Sequence, residues 1–261
     1  MNIKLVLCIC ALFLNTSLSQ NNICYSSTDI SRIVVAGGSI TEIIYLLGQE
    51  DKIVAVDVTS NYPEEAKRHT SIGYVRNVST EGILSLNPSL ILGEDDMGPP
   101  NVVEQLKGMN MDLRIINEEQ SIDGIIQKIR CVASIIDKKD IADKIIKNDI
   151  NPILLKLKEN QISNKKKRIK IMLVLSMQGT SPMVAGTGTS GDSFITMIGG
   201  ENIFSSFDGW KTVTAESILK LNPDYIIIPD KNLHKNSKVE EIANNPIFKN
   251  TNAGRNNNFL Y

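Results

Sequence analysis

Apolar and polar residues fall in blocks along the chain that predict strands followed by helices. The segment RIVVAGGSITEIIYLLG, from Arg32 to Gly48, predicts a buried strand, a glycine turn and a helix that begins at Ser39 or Thr41. The segment KIVAVD, from Lys52 to Asp57, predicts a second short strand. Strands that alternate with helices are typical of parallel α/β folds.

One segment of the chain occurs twice. VSTEGILSLNPSLIL, from Val78 to Leu92, returns 135 residues later as VTAESILKLNPDYII, from Val213 to Ile227, with eight of fifteen positions identical. In each copy a hydroxyl residue precedes a short apolar helix, an Asn-Pro pair ends it, and a strand follows. Two copies are too few for a solenoid, so the repeat predicts two lobes of one plan with a cleft between them.

The stretch between the two copies has a helical pattern. Its regularly spaced apolar positions are Ile122, Ile125, Ile126, Ile129, Val132, Ile135, Ile136, Ile141, Ile145 and Ile146. We expect Pro152 to kink or divide this helix. The sequence thus predicts an α/β fold of two Rossmann-like lobes with parallel sheets, joined by one long linker helix. Because a helix resists bending, the lobes should move little when a ligand enters.

The chain divides accordingly into a signal peptide at 1–19, an N-terminal lobe at 31–120, the linker helix at 121–163 and a C-terminal lobe at 168–261. The first residues, MNIKLVLCICALFLNTSLSQ, combine a Lys, an apolar run and small residues, as in a secretory leader. The run is too short to span a membrane. We therefore expect an exported protein, in the periplasm or otherwise outside the cytoplasm.

Two cysteines remain after the leader, Cys24 and Cys131. They can form a disulfide in an oxidising compartment, but two cysteines so far apart are also compatible with two free thiols. Cys24 can also carry a lipid, although the residues before it, Asn21 to Ile23, are not the small ones that such a site requires.

Charge and motifs exclude several classes of function. The net charge of -1 leaves no excess of positive charge of the kind that binds nucleic acid. GTGTSG, which contains Gly186, Gly188 and Gly191, matches a dinucleotide-binding pattern, but it does not directly follow a strand, so a structural turn is the better interpretation. His69 and His234 have no partners at metal-ligand spacing, and no hydrolase motif occurs, so we expect no enzyme.

Tyr74 and Arg76 precede the first repeat in IGYVRNVSTEG, within a loop that should face the cleft. A phenol becomes a good ligand when it loses its proton, and both ferric iron and a nearby cation favour that loss. Tyrosine is a known axial ligand of haem iron, and Arg76 can supply the cation or bind a propionate. The alternative is that Tyr74 is an ordinary loop tyrosine beside a surface arginine, with no role in ligand binding.

The corresponding place before the second repeat is DGWKTVTAES, which contains Trp210 and Lys211. Trp210 can form a flat apolar wall for a planar ligand, and Lys211 can bind its carboxylates. A core tryptophan is an equally good interpretation. Within the repeats, Glu81 and Glu216 are matched acids, which suit the first turn of a helix or a two-fold partner with basic sites.

With these residues the chain resembles the haem-binding periplasmic proteins of bacterial haem ABC importers, which belong to a helix-linked class shared with cobalamin and siderophore carriers. The likeness is carried by GYVRNVSTEGILSLNPSLIL, by EDDMGPP at 94–100 and by SPMVAGTGTSGD. It implies a monomeric carrier without catalysis, with haem as the transported ligand and Tyr74 as the iron ligand beside Arg76. It also implies that Glu81 and Glu216 meet arginines of a dimeric permease in the inner membrane.

The resemblance places Met177 where some members have a histidine as second iron ligand, and an apolar contact is the expected role here. TNAGRNNNFLY, which ends at Tyr261, resembles the segment before the family's final strand, so a closing helix would be expected after it. A siderophore or cobalamin carrier of the same class is the alternative function, and a nucleotide-using enzyme is a more distant one.

Overall fold

A computed structural model describes residues 23–163, 168–178, 181–229 and 244–261. The predicted signal peptide at 1–19 and His234 lie outside these ranges. Among the described residues, no helix has the length and apolar character needed to cross a membrane.

Two sheets contain the strands of the described residues. The first is parallel throughout, in the order β3-β2-β1-β4-β5, and the second has the order β11-β10-β6-β7-β9, with β8 also paired to β6. The strands are β1 Ile33–Ala36, β2 Ile53–Val56, β3 Thr70–Ser71, β4 Leu90–Glu94, β5 Leu113–Ile116, β6 Lys170–Gln178, β7 Ser181–Ala185, β8 Glu201–Asn202, β9 Trp210–Thr212, β10 Tyr225–Ile227 and β11 Phe259–Leu260.

Helices connect these strands. They are α1 Gly38–Leu46, α2 Thr80–Leu84, α3 Pro100–Gly108, α4 Ile122–Ile135, α5 Lys139–Ile145, α6 Asn151–Ser163, α7 Ser190–Met197, α8 Ala215–Leu221, α9 Pro246–Lys249 and α10 Asn252–Arg255. The predicted α/β fold with two sheets is confirmed. The second sheet differs from the prediction in one respect, because β7 runs antiparallel to both β6 and β9.

The first sheet is covered on both faces. All four side chains of β1 are buried, and successive residues of a strand point to opposite faces. Ile33 and Val35 pack in one cluster with residues of α1 and α4, whereas Val34 and Ala36 pack with residues of α2 and α3. A strand buried on both faces reads as a continuous apolar run, which explains IVVA in the sequence.

The connection between the sheets is helical, as predicted, but it is divided. The break lies at Asp137, which has a left-handed φ of 56°, between α4 and α5. From α5 the helix continues through Pro152, and a π turn at Ile146–Ile150 ends two residues before that proline. A π turn shifts the hydrogen-bond partner by one residue, which accommodates a residue without an N–H. The interruption we expected at Pro152 is therefore a local irregularity.

A disulfide joins Cys24 to Cys131 of α4. The segment before β1 is further held by Ser27 N, which donates to Ile135 O at 2.9 Å, and by the Arg114 guanidinium, which lies 3.6 Å from the centre of the Tyr25 ring. Of the alternatives that the sequence left open, the structure has the disulfide. A sulfur in this bond is not available for a lipid.

Candidate ligand-binding site

Ligands of open α/β sheets bind outside the carboxyl ends of the strands, at the point where neighbouring strands lead to helices on opposite faces. In the first sheet that point lies between β1 and β4, because α1 and α3 cover different faces. The side chain of Glu94 fills it. Its Oε1 accepts hydrogen bonds from Ser39 N at 3.2 Å and Ser39 Oγ at 2.5 Å. The protein's own carboxylate therefore occupies the helix N-terminus that a nucleotide phosphate would use.

Lys128 of α4 ties this carboxylate to the helical connection. Its Nζ lies 3.2 Å from Glu94 Oε1 and 3.4 Å from Glu118 Oε1, and only 6% of its side chain is exposed. Breaking a buried pair leaves an uncompensated charge, so these residues fix α4 against the first sheet. No pattern in the sequence indicates this ion pair, because Lys128 lies between the apolar positions Ile126 and Ile129 of a helix, where a lysine is usually exposed.

Tyr74 lies at the carboxyl edge of the same sheet. Ile72 N donates to Val56 O at 2.9 Å and Val58 N donates to Gly73 O at 2.9 Å, so the loop continues the pairing of β2 and β3. A 3₁₀ turn at Val75–Asn77 follows, with Val75 buried beneath it. Tyr74 itself is 46% exposed. The loop backbone is thus anchored, while its aromatic side chain is available to a ligand.

Arg76 is held by a carboxylate that sequence reasoning missed. Its Nε donates to Asp96 Oδ2 at 2.9 Å, and its side chain is 64% exposed. The hydrogen bond that Arg76 donates to Asp96 raises the pKa of Arg76, and the nearby Tyr74 phenol raises it further. EDDMGPP contains Asp96, but that segment carries no pattern that links it to Arg76.

Backbone hydrogen bonds fix the two loops that carry these residues. Gly98 N donates to Val75 O at 3.0 Å, and Val78 N donates to Gly98 O at 2.9 Å. Met97 N also donates to Glu94 O at 3.0 Å, which closes a turn around Asp96. The relative positions of Tyr74, Arg76 and Asp96 are therefore set by a paired backbone.

Met177 packs in the second sheet. It lies on β6 opposite Pro182 of β7 and contacts the cluster that contains Met172 and Val174. Residues of a regular strand alternate between faces, which would put Met177 on the other face from Met172. The register shifts between Val174 and Ser176, and this irregularity turns Met177 to the same cluster. The thioether is therefore half-buried among apolar side chains.

Trp210 and Lys211 are neighbours on β9 with different surroundings. Trp210 is half-buried and packs against the cluster that contains Leu173 and Ile195, close to Gly191 of α7. Lys211 is exposed, with Nζ 5.1 Å from the centre of the Phe207 ring. None of the contacts within the described residues joins either side chain to Tyr74.

Glu81 and Glu216 occupy matched positions in α2 and α8. Ser79 caps α2 by accepting from Gly82 N at 2.9 Å, and Thr214 caps α8 by accepting from Ser217 N at 3.3 Å. Each glutamate is the second residue after its cap, where the helix dipole favours a carboxylate. Both are exposed, and neither has an ion pair with another described residue.

The two halves of the chain also touch near the first sheet's carboxyl edge. Ser193 Oγ of α7 donates to Gln120 Oε1, in the loop after β5, at 3.2 Å. The carboxyl edge that carries Tyr74 thus includes a loop in contact with the part of the chain that carries Trp210.

The glycine-rich segment before α7 forms a structural turn. Thr189 caps α7 by accepting from Asp192 N at 3.1 Å and donates to Gly186 O at 2.8 Å. A Cβ on Gly186 would lie 2.4 Å from Phe207, so packing requires glycine there. The interpretation of GTGTSG as a turn agrees with this geometry. No group of three or more metal-binding side chains occurs in the ranges that the structure describes.

Comparison with known proteins identifies relatives over most of the chain. The family model described as periplasmic binding protein matches residues 33–261. An uncharacterised ABC transporter substrate-binding lipoprotein, YvrC of Bacillus subtilis, is 28% identical over 201 residues, which are 76% of this chain and 63% of that protein. The vitamin B12-binding protein of Pectobacterium atrosepticum is 27% identical over 199 residues, 76% of this chain and 71% of the relative.

The chain is also similar to solved structures of proteins that are named for a different ligand. The periplasmic heme-binding protein HutB of Vibrio cholerae is 31% identical, with 89% of each chain covered and a TM-score of 0.74. Similar proteins therefore carry names for two different tetrapyrrole ligands.

Proposed function

Because the chain belongs to the periplasmic binding protein family, we propose that it is an exported carrier that binds haem and delivers it to an ABC permease. The family and its relatives are substrate-binding components of transport systems, so the protein is not an enzyme. The observation that carries the choice of haem is the exposed Tyr74 on an anchored loop beside Arg76.

Tyr74 is the proposed iron ligand. Ferric iron favours the phenolate over the phenol, and a guanidinium close by stabilises the negative oxygen further. An exposed phenol on a fixed backbone can approach the metal without rearrangement of the sheet. Arg76 then supplies positive charge to the phenolate or to a haem carboxylate.

Met177, Trp210 and Lys211 are proposed as contacts on the other side of the haem. The apolar packing of Met177 supports a van der Waals role and leaves five-coordinate iron on Tyr74 as the proposal. Trp210 has a half-buried ring that can offer part of its face to a porphyrin. Lys211 is exposed and can bind a propionate.

Glu81 and Glu216 are proposed as the docking residues for the permease. Their matched exposed positions suit a partner that presents the same basic site twice, as a dimeric permease does. Neither carboxylate has an ion pair within the ranges that the structure describes, which supports their availability for such contacts. We propose that the carrier itself is a monomer.

A cobalamin carrier is the second candidate, because a relative at 27% identity is named vitamin B12-binding protein. A siderophore carrier has no separate observation in its favour. Titration of the mature protein with hemin and with cyanocobalamin separates the first two candidates. The proposal predicts saturable binding of hemin, with no displacement by cyanocobalamin. Tight cobalamin binding without hemin binding would reject haem as the cargo.

A further inference from the structure

The two oxygens of the Asp96 carboxylate have different surroundings. Oδ2 accepts a hydrogen bond from Arg76 Nε at 2.9 Å. Oδ1 is buried and has no hydrogen-bond partner among the described residues. A buried carboxylate oxygen without a donor is uncommon in a native structure, because burial removes water that would otherwise bind it.

Arg76 presents the exposed side of this pair. Its side chain is 64% exposed, against 35% for that of Asp96. A guanidinium has five N–H donors, and the bond to Asp96 uses the one on Nε. The terminal amino groups remain, and they are donors only. A ligand that reaches the pair therefore meets hydrogen-bond donors and a positive charge, because one carboxylate oxygen of Asp96 is bonded to Nε and the other is buried.

This arrangement distinguishes between the two tetrapyrrole ligands. Haem ends in free carboxylates, which accept hydrogen bonds and carry negative charge. The corrin ring of cobalamin carries amide side chains, which are neutral and need acceptors as well as donors. Charge-assisted hydrogen bonds from a guanidinium to a carboxylate are about twice as strong as neutral ones. The exposed side of the pair thus suits a carboxylate better than an amide.

On the basis of the proposed function, we propose that Asp96 is a positioning residue that holds Arg76 for the carboxylate of the ligand and so selects haem over amide-bearing corrinoids. Asp96 acts through Arg76 and does not touch the ligand. An exposed arginine without this bond would sample many rotamers, and binding would have to order it. Backbone hydrogen bonds between the loops of Val75 and Gly98 fix the relative positions of Asp96 and Arg76 before the ligand arrives.

A double-mutant cycle tests this role. Hemin and hemin dimethyl ester are titrated into the wild type, Asp96→Ala, Arg76→Ala and the double variant. Asp96→Ala should weaken hemin binding about tenfold and leave ester binding nearly unchanged, because the ester lacks the charged groups. In the Arg76→Ala background, Asp96→Ala should have no further effect. A loss of selectivity for hemin over the ester is a readout that a purely structural role would not produce.

The matched control is Glu104→Ala, which removes an exposed ion pair of 3.0 Å to Lys107 on the same half of the chain. It should bind both ligands as the wild type does. If Asp96→Ala fails to fold, the cycle is run with Asp96→Asn, whose neutral oxygen is a weaker acceptor. The same pattern of effects is then expected, with smaller changes in hemin affinity.

Two results overturn the inference while the proposed function stands. In one, Asp96→Ala weakens hemin and its ester equally. In the other, its effect persists without Arg76. If the wild type does not bind hemin at all, the proposed function fails, and the inference fails with it.

Discussion

Asn87 and Asn222 have the same left-handed backbone conformation, with φ of 46° and 49°, at equivalent places in the two copies of the repeat. Each follows a short helix and is followed by proline and a strand. Asparagine tolerates this conformation better than most residues. The copies therefore share a backbone turn as well as a sequence.

The two asparagines should differ in their response to glycine. Asn222 Oδ1 also accepts a hydrogen bond from Asn252 N at 2.7 Å, whereas the exposed side chain of Asn87 has none within the described residues. Asn87→Gly should be nearly neutral, and Asn222→Gly should destabilise by about 1 kcal/mol. Asn87→Ala should cost about 1 kcal/mol because alanine is strained there. Urea unfolding measures all three, and equal effects of the two glycine substitutions would contradict the account.

The disulfide should stabilise the exported protein strongly. Cys24 and Cys131 are separated by 107 residues, and a crosslink across a long loop restricts the unfolded chain. Cys24→Ser with Cys131→Ser should lower the free energy of unfolding by about 4 kcal/mol. Denaturation with and without reductant checks this, since reductant should destabilise the wild type only. Equal sensitivity of both proteins to reductant would exclude the bond.

His69 should make stability depend on pH. Burial lowers its pKa from 6.5, partly opposed by a hydrogen bond to the backbone at Ile53, and its Nε2 lies 2.9 Å from the Tyr45 hydroxyl. The unfolded chain then takes up a proton at higher pH than the folded chain. The stabilising contribution is present above pH 6.5 and is lost as the pH falls towards the lower folded pKa.

His69→Gln removes this titration. The difference in unfolding free energy between wild type and variant should therefore be smaller at about pH 5 than at about pH 7.5. Urea unfolding at the two pH values measures it. A difference that grows on acidification would show that the sign is wrong.

Charge reversal at the proposed docking residues should separate delivery from binding. Glu81→Arg and Glu216→Arg should leave hemin affinity unchanged, because both carboxylates are exposed and neither is among the proposed haem contacts. Together they should reduce haem-dependent growth or permease ATPase stimulation about tenfold. Glu159→Arg, at an exposed position of α6, is the control. Unchanged delivery by the double variant would reject the docking role.

The fold was largely predictable because its signals are local. The repeat predicted the capped helices and their strands, and the isoleucine pattern predicted the helical connection. Strand direction depends on contacts that are distant in sequence, so the antiparallel β7 was missed. The irregularity in β6 that turns Met177 to the core also has no local signal.

The site was predictable only in part, for a similar reason. Tyr74 and Arg76 are close in sequence, and their residue types suggest a chemistry. Asp96 reaches Arg76 from a loop twenty residues later, and Lys128 reaches Glu94 from a different helix. Such pairings become visible only when the backbone is folded.

The most direct test of haem ligation is the absorption spectrum of the hemin complex of Tyr74→Phe beside that of the wild type. Tyr25→Phe is the control, because Tyr25 is also exposed and lies beside an arginine. The wild type and Tyr25→Phe should show the charge-transfer band of a ferric tyrosinate, and Tyr74→Phe should lose it together with most of its affinity. An unchanged spectrum and affinity in Tyr74→Phe would contradict the account.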